Sequence, residues 1–306
     1  MSFLKTKDVL DLTELSTEEI YKILSLAVQL KAEGKNNLRQ DLAGKSVGLI
    51  FNKPSTRTRV SFQVGVSQLG GNSIYLQSTD LQIGRGESIA DTAKVLSSYL
   101  SALVIRTYAH EEACQLAKHA DIPVINALTD LYHPCQALAD LMTINENKNH
   151  LQGLRMAYLG DGNNVCNSLI IAAQKVGMDI SVATPPGFEP KLGTVPNGKE
   201  RGLSPYIEIT NDPKEAVDGA DVLYTDVWVS MGQEHEKKHL DKFKPFQLNK
   251  ELLDLAKPEA IAMHCLPAHA GQEITDEVMN SKQSVIFTQA LNRLYSQKAL
   301  LVGLMG

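Results

Sequence analysis

The 306-residue chain is poor in cysteine, and its four (Cys114, Cys135, Cys166 and Cys265) lie far apart with no C-x-x-C pair. That spacing suggests neither a zinc ribbon nor a disulfide framework, and it fits a reducing compartment. No stretch approaches the roughly 20 apolar residues that a membrane span needs, and Met1–Asp8 carries no apolar core of signal-peptide length. A cytoplasmic protein with no membrane partner is expected, although an organellar form stripped of its presequence would read the same. There is no basic excess either: 30 Lys and Arg against 35 Asp and Glu give a formal net charge of -5. This balance disfavours nucleic acid as a partner but leaves room for a local basic pocket, so a small molecule is the expected ligand. Low-complexity tracts and repeats of solenoid period are also missing, and the 12 prolines and 21 glycines are scattered.

What is present is an ordinary globular composition, 43% hydrophobic and 21% charged, in a chain longer than a single compact core usually needs. Two domains with a cleft are expected, although one large α/β domain would also fit. Ser16 and Glu19 have the spacing of a capping box, and Ile20, Ile23, Leu24, Ala27 and Leu30 mark one face of the helix that follows. Short β-branched runs then alternate with helical patterns at 47–51 (VGLIF), 102–106 (ALVIR), 122–127 (IPVINA), 156–160 (MAYLG), 179–183 (DISVA), 221–225 (DVLYT), 260–264 (AIAMH) and 284–288 (SVIFT). Such alternation predicts an α/β protein of two domains, each a parallel β-sheet flanked by helices, with the active site between them. The polar stretch Asn145–His150 ends a helical pattern and marks a domain boundary, while the Pro- and Gly-rich segment 185–205 reads as a surface excursion.

In open α/β sheets ligands bind beyond the carboxyl ends of the strands, so the residues after each apolar run are the candidates. VGLIF is followed by Asn52-Lys53-Pro54 and then Ser55-Thr56-Arg57-Thr58-Arg59; ALVI by Arg106; the run at 122 by Tyr132-His133-Pro134-Cys135-Gln136. Later runs lead to Asp161-Gly162-Asn163-Asn164, to Asp226-Val227-Trp228-Val229-Ser230-Met231-Gly232, and to His264-Cys265-Leu266-Pro267. Ser55 is expected to cap a helix whose free N–H groups and positive dipole end face an anion, with Arg57 adding a forked cation: a phosphate cradle. The bland alternative is a capped helix with exposed arginines. Pro134 suits a first helical turn, which would present His133 and Gln136 beside Arg106 on the same sheet edge, where histidine and arginine could polarise a carbonyl oxygen.

Three motifs are set aside. Gly160-Asp161-Gly162-Asn163-Asn164-Val165 starts like a dinucleotide fingerprint, but Val165 replaces the third glycine and the next strand ends at Thr184-Pro185 without a ribose-binding carboxylate. Gly44-Lys45-Ser46 lacks the earlier glycine of a P-loop and precedes a strand, so it reads as a turn. His235-Glu236-Lys237-Lys238-His239 fits H-E-x-x-H but sits in a charged stretch that would not anchor a buried metal-bearing helix, so no metal is expected.

Taken together, STRTR, the isolated arginine, HPCQ, DVWVSMG and HCLP, in this order, resemble the aspartate and ornithine carbamoyltransferase family over most of the chain. DVWVSMG and HCLP look like its ornithine branch. The resemblance implies an enzyme that moves the carbamoyl group of carbamoyl phosphate to the side-chain amine of L-ornithine, giving L-citrulline, as in arginine biosynthesis. It implies that Ser55, Thr56, Arg57, Thr58 and Arg106 hold the phosphate, and that His133, Thr58 and Arg106 polarise the carbamoyl oxygen. Gln136, Arg293 and the backbone carbonyls of Cys265 and Leu266 would complete the carbamoyl site. Asn164, Asp226, Ser230 and Met231 would hold ornithine, with Cys265 beside the reacting amine either as a working thiol or through its backbone alone. Gln82 would reach a neighbouring subunit's site in a homotrimer or a multiple of one. Asn52-Lys53 stands where many relatives have an acidic residue before the lysine, which leaves the phosphate assignment intact. The division expected is 1–147 for carbamoyl phosphate and 148–289 for ornithine, with a helix over about 290–306 packing back onto the first domain. The Ser230-Met231-Gly232 loop is the candidate lid. No organic cofactor or metal is required, because phosphate is already a good leaving group. The rivals are a transferase for putrescine or an acylated ornithine, and a non-catalytic anion- or nucleotide-binding protein on the same fold.

Overall fold

A computed structural model describes residues 2–35, 37–77, 86–191, 206–229 and 240–306. The chain divides into two compact units, Met1–Met142 with Leu291–Gly306, and Thr143–Ala290. Among the described residues no helix is long and apolar enough to cross a membrane.

The first unit begins with α1 (Thr17–Glu33), which starts in the expected capping box: Ser16 and Glu19 each accept from the other's backbone N–H. Its Ile20, Ile23, Leu24, Ala27 and Leu30 are buried, the face predicted by their spacing. There follow β1 (Ser46–Phe51), α2 (Arg57–Gln68), β2 (Asn72–Gln77), α3 (Ile89–Tyr99), β3 (Ala102–Arg106), α4 (His110–His119), β4 (Val124–Leu128) and α5 (Pro134–Lys148), the last running on past the unit's edge. The four strands are parallel in the order β2-β1-β3-β4. Ile50, Leu103, Ile105 and Val124 of the sheet pack against Ala93 of α3 and Ala113, Leu116 and Ala117 of α4. Each such aliphatic side chain taken from water is worth about 1.5–3 kcal/mol, which fixes the helices against the sheet. At the end of the chain the Phe3 and Leu4 N–H groups donate to the Gly303 carbonyl, each at 3.1 Å, tying the amino terminus to the last helix.

The second unit carries β5 (Arg155–Leu159), α6 (Asn164–Val176), β6 (Asp179–Ala183), β7 (Ile207–Thr210), α7 (Pro213–Val217), β8 (Val222–Thr225), α8 (Leu240–Phe243), α9 (Lys250–Leu255), β9 (Ile261–His264), α10 (Asp276–Met279) and the start of α11 (Ile286–Met305). Its strands are parallel in the order β7-β6-β5-β8-β9. Ala157, Leu159, Leu223 and Ala262 meet Val217, Leu252, Leu253 and Val278 in one core, and α6 is buried along nearly its whole length.

One predicted strand is absent. The run 284–288 makes a single bridge, Ser284 to Ala262, and from Ile286 onward is the first turn of α11. Burial there falls at Ile286, Gln289, Asn292 and Arg293, a helical interval rather than an alternating one. Two edge strands, β2 and β7, had not been expected.

Candidate active site

β1, β3 and β4 are neighbours in the first sheet, so the segments leaving their carboxyl ends emerge side by side. β1 leads through Asn52 to Ser55 and α2, β3 ends on Arg106, and β4 leads to His133 and α5. The Asn52 N–H donates to the Arg106 carbonyl at 2.8 Å, continuing the pairing one step past β1.

The capping hydrogen bond expected from Ser55 is not made at the start of α2 among the described residues. The flanking residue is Thr56, whose backbone is already helical (φ -83°, ψ -60°) and whose side chain makes no capping hydrogen bond. A capping hydroxyl reaches back from an extended backbone, so this geometry cannot supply one. The first turn also lacks an acidic residue, while Arg57 and Arg59 bring two cations to the positive end of the helix. Each is unfavourable there by about 0.3–1 kcal/mol, and the sign reverses when an anion accepts the free N–H groups. Arg59 turns aside onto the Tyr75 ring, 3.6 Å from its centroid, whereas Arg57 and Thr56 are exposed.

Behind this edge is a buried polar chain. Arg293 donates from Nη2 to Thr58 Oγ1 at 3.1 Å and from Nη1 to Gln136 Oε1 at 2.6 Å, and Gln136 Nε2 donates to Asp140 Oδ1 at 2.8 Å. Thr58, Arg106, His133, Gln136 and Arg293 are all buried. Burial, then the positive fields of Arg293 and Arg106, hold His133 well below its ordinary value of 6.5. The ring is therefore neutral near pH 7 and offers one N–H donor rather than a second charge. Cys135, by contrast, is a packing thiol: burial pushes it up to about 12, and Sγ donates to the Asn126 carbonyl at 3.4 Å.

The neutral His133 has a stability consequence. Its folded-state pKa lies below its unfolded one, so the unfolded chain takes up the extra proton as the pH falls through about 6.5. Stability present above that pH is lost below it, with a slope reaching about 1.4 kcal/mol per pH unit. Denaturant unfolding at about pH 7 and about pH 5 should show a larger loss for the wild type than for His133→Asn. Equal losses would mean that the imidazole is protonated in the folded protein.

In the second sheet β5, β8 and β9 are likewise neighbours, and their carboxyl ends deliver Asn163, Asp226 and Cys265. Asn163 caps α6: its Oδ1 accepts from the Val165 and Cys166 N–H groups at 2.9 and 3.1 Å. Its Nδ2 then donates to Asp226 Oδ2 at 2.8 Å, and Cys265 Sγ donates to Asp226 Oδ1 at 3.0 Å. Asp226 is a buried carboxylate held from both sides. Asn164, expected to hold ornithine, is the first residue of α6 and half-buried. Gly162 is required for a different reason than phosphate approach: a Cβ there would lie 2.3 Å from the Pro190 nitrogen. The resemblance of this turn to a dinucleotide fingerprint thus reflects loop packing.

Leu266 follows in a left-handed backbone conformation, φ 59°, which costs a residue with a side chain about 1–2 kcal/mol. Its N–H donates to His264 Nδ1 at 2.8 Å, and His264 Nε2 lies 3.1 Å from Glu273 Oε1. Asp226, His264 and Cys265 bring one donor atom each within 4.8 Å of one another, the spacing of a metal triad. Both His264 nitrogens are already engaged, however, so ligation would have to break one of those bonds. Gln82, Ser230, Met231, the proposed lid and the H-E-x-x-H segment lie outside the described residues.

Each of the two parallel α/β units thus carries a polar cluster at its strand ends, a cationic helix start in one and a buried carboxylate beside a thiol in the other. The sequence matches the family described as aspartate/ornithine carbamoyltransferase, carbamoyl-P binding domain, over residues 7–146, and that family's Asp/Orn binding domain over residues 152–304. The chain belongs to the aspartate/ornithine carbamoyltransferase family. It is 56% identical to the ornithine carbamoyltransferase of Anoxybacillus flavithermus, over 99% of this chain and 98% of that one, and 51% identical to that of Carboxydothermus hydrogenoformans, over 98% of each. The ornithine carbamoyltransferase of Pyrococcus furiosus superposes with a TM-score of 0.91 at 47% identity, covering 100% of this chain and 99% of that one. That of Thermus thermophilus gives 0.89 at 43%, covering 98% and 99%.

Proposed function

We infer that the protein transfers the carbamoyl group of carbamoyl phosphate to the side-chain amine of L-ornithine, releasing L-citrulline and phosphate. The observation that carries this reading is the uncapped start of α2, where Arg57 stands at a helix terminus without a compensating acid, with Arg106 ending the adjacent strand β3 and His133 on the segment that leaves β4 beyond it.

In this reading the N–H groups and hydroxyls of Ser55, Thr56 and Thr58 hold the phosphate together with Arg57 and Arg106. His133, kept neutral, donates to the carbamoyl oxygen with Thr58 and Arg106, stabilising the negative charge that grows there during attack. Gln136 is oriented with its oxygen toward Arg293, and that oxygen, with the Cys265 and Leu266 carbonyls, accepts from the carbamoyl NH2 group. Asp226 binds the α-ammonium group of ornithine, assisted by Asn164, Ser230 and Met231. The attacking amine has an ordinary value near 10.4, so reaching its neutral form at pH 7 costs about 4 to 5 kcal/mol unless nearby cations help. Its nitrogen forms the C–N bond, the bond from carbon to the phosphate oxygen breaks, and the proton it sheds leaves with phosphate. Cys265 lies beside that reacting amine, and its thiol, donating to Asp226, orients the carboxylate toward the α-ammonium group.

We also propose a homotrimer or a multiple of one, with Gln82 contributing to a neighbouring subunit's site, and a cytoplasmic role in arginine biosynthesis. The test of function is citrulline formation from carbamoyl phosphate with ornithine, putrescine and acetylornithine in parallel. Ornithine is expected to exceed the other amines by at least about 100-fold in kcat/KM, because a site built around a buried carboxylate rejects an amine lacking the matching ammonium. Preference for putrescine or acetylornithine, or turnover of none of the three, would overturn the reading.

A further inference from the structure

We propose that Glu273 is a positioning residue for carbamoyl transfer, acting through His264 to hold the backbone of Cys265 and Leu266 in the orientation that serves the transferred group. The inference rests on the carbamoyl-transfer reading and adds a residue that it does not use.

The argument starts from a donor that cannot reverse its role. A backbone N–H only donates, so the 2.8 Å contact between the Leu266 nitrogen and His264 Nδ1 requires a lone pair on Nδ1. A neutral imidazole with that lone pair carries its proton on Nε2, and Nε2 faces Glu273 Oε1 at 3.1 Å. An ionised carboxylate accepts only, so Glu273 selects this tautomer and no other. His264 and Glu273 are both fully buried. Burial alone would raise the Glu273 carboxyl, but hydrogen bonds from His264 and from the His269 N–H outweigh it and hold it below the ordinary carboxylate value. The ring is anchored from its own backbone as well: the His264 N–H donates to Gln289 Oε1 at 2.9 Å, and Gln289 Nε2 donates to the Tyr224 hydroxyl at 3.1 Å.

The consequence falls on two residues. Leu266 is held in its left-handed conformation by the bond to Nδ1, and Cys265 lies between Leu266 and the fixed ring with its thiol on Asp226. Losing the Nδ1 acceptor would free Leu266 to relax toward an ordinary backbone, turning both carbonyls. A simpler role for Glu273 is to close the loop through the His269 N–H, which it accepts at 2.6 Å. Any test has to separate the two.

Glu273→Gln keeps the shape and removes the charge that selects the tautomer. We expect it to lower kcat for citrulline formation about 50-fold, the scale of lost control over a histidine's tautomer and orientation. In His264→Asn the amide oxygen can accept from Leu266 without any tautomer to select. In that background Glu273→Gln should cost less than about threefold, a non-additivity that reports the coupling. Equal costs in both backgrounds would assign Glu273 to the loop alone and overturn the proposal. Should Glu273→Gln fail to fold, 15N spectra of histidine-labelled wild-type protein decide the matter: a proton on Nε2 of His264 is expected, and a proton on Nδ1 would contradict it. Wild-type protein that makes no citrulline would sink the carbamoyl-transfer reading instead, so the two failures are distinct.

Discussion

Replacing Arg57 with alanine is expected to weaken carbamoyl phosphate binding about 100-fold while leaving the folded protein as stable as before or slightly more so. The loss corresponds to about 2.7 kcal/mol, within the range for charge-assisted, forked hydrogen bonds to a phosphate. The stability side follows from position. Arg57 is exposed and opens α2, where a cation opposes the helix dipole and no acidic residue of the first turn offsets it. Removing it relieves up to about 1 kcal/mol of repulsion. Titration calorimetry with carbamoyl phosphate and thermal unfolding of the same variant check both halves. An affinity within threefold of wild type would show that the helix start is not the phosphate site, and a marked fall in stability would show that Arg57 serves the fold.

Asp226→Asn should have the larger effect on turnover. Asp226 is buried, with Asn163 donating to one oxygen and the Cys265 thiol to the other, and the proposed α-ammonium group of ornithine would pair with it as a cation. Truncating one member of a buried, hydrogen-bonded charge pair costs 2–5 kcal/mol. We expect kcat/KM for ornithine to fall on the order of 10³-fold, about 4 kcal/mol, with carbamoyl phosphate affinity unchanged within about twofold. The asparagine also presents an N–H2 group to one of two donors, so part of the loss is a misdirected Cys265. Steady-state kinetics with ornithine varied, beside calorimetry with carbamoyl phosphate, separates these substrates. A loss below about tenfold would remove Asp226 from the amino-acid site.

Much of the architecture is legible in the sequence because interior parallel strands are buried on both faces. VGLIF, ALVI and MAYL read as continuous apolar runs and DISVA as a short β-branched one, and each is found within a residue of its predicted place. The two strands that escaped, β2 and β7, are the outermost of their sheets. NSIYLQ is only partly buried, and IEIT is buried mainly at its first residue, so neither carries the apolar signal of an interior strand. SVIFT failed in the opposite direction, since a five-residue apolar run does not reveal its period, and the helix it begins is identified by Gln289, Asn292 and Arg293 beyond it.

The site divides along the same line. Residues placed by a strand end, such as Arg106, His133, Asp226 and Cys265, can be picked out from position alone, because an α/β sheet sends its carboxyl ends to one edge. Residues that act through a partner distant in sequence cannot. Asn163 looks like an ordinary helix cap until its free amide meets Asp226, and Glu273 looks like a solvated acid until His264 closes on it. Ser55 shows the converse error. The residue type and place suit a cap, but no side-chain hydrogen bond closes the start of α2 among the described residues, and the uncapped terminus that results is the better anion site.

The central claim is that a carbamoyl donor held at the start of α2 reacts with the side-chain amine of an ornithine whose α-ammonium group is held at Asp226. The most direct measurement is a crystal structure with a phosphonoacetyl derivative of ornithine, which joins both substrates covalently in a single molecule. The account predicts its phosphonate on the N–H groups of residues 55–58 and on Arg57, with its α-ammonium nitrogen within about 3 Å of the Asp226 carboxylate. A phosphonate bound away from α2, or an ammonium group held by other side chains, would contradict it.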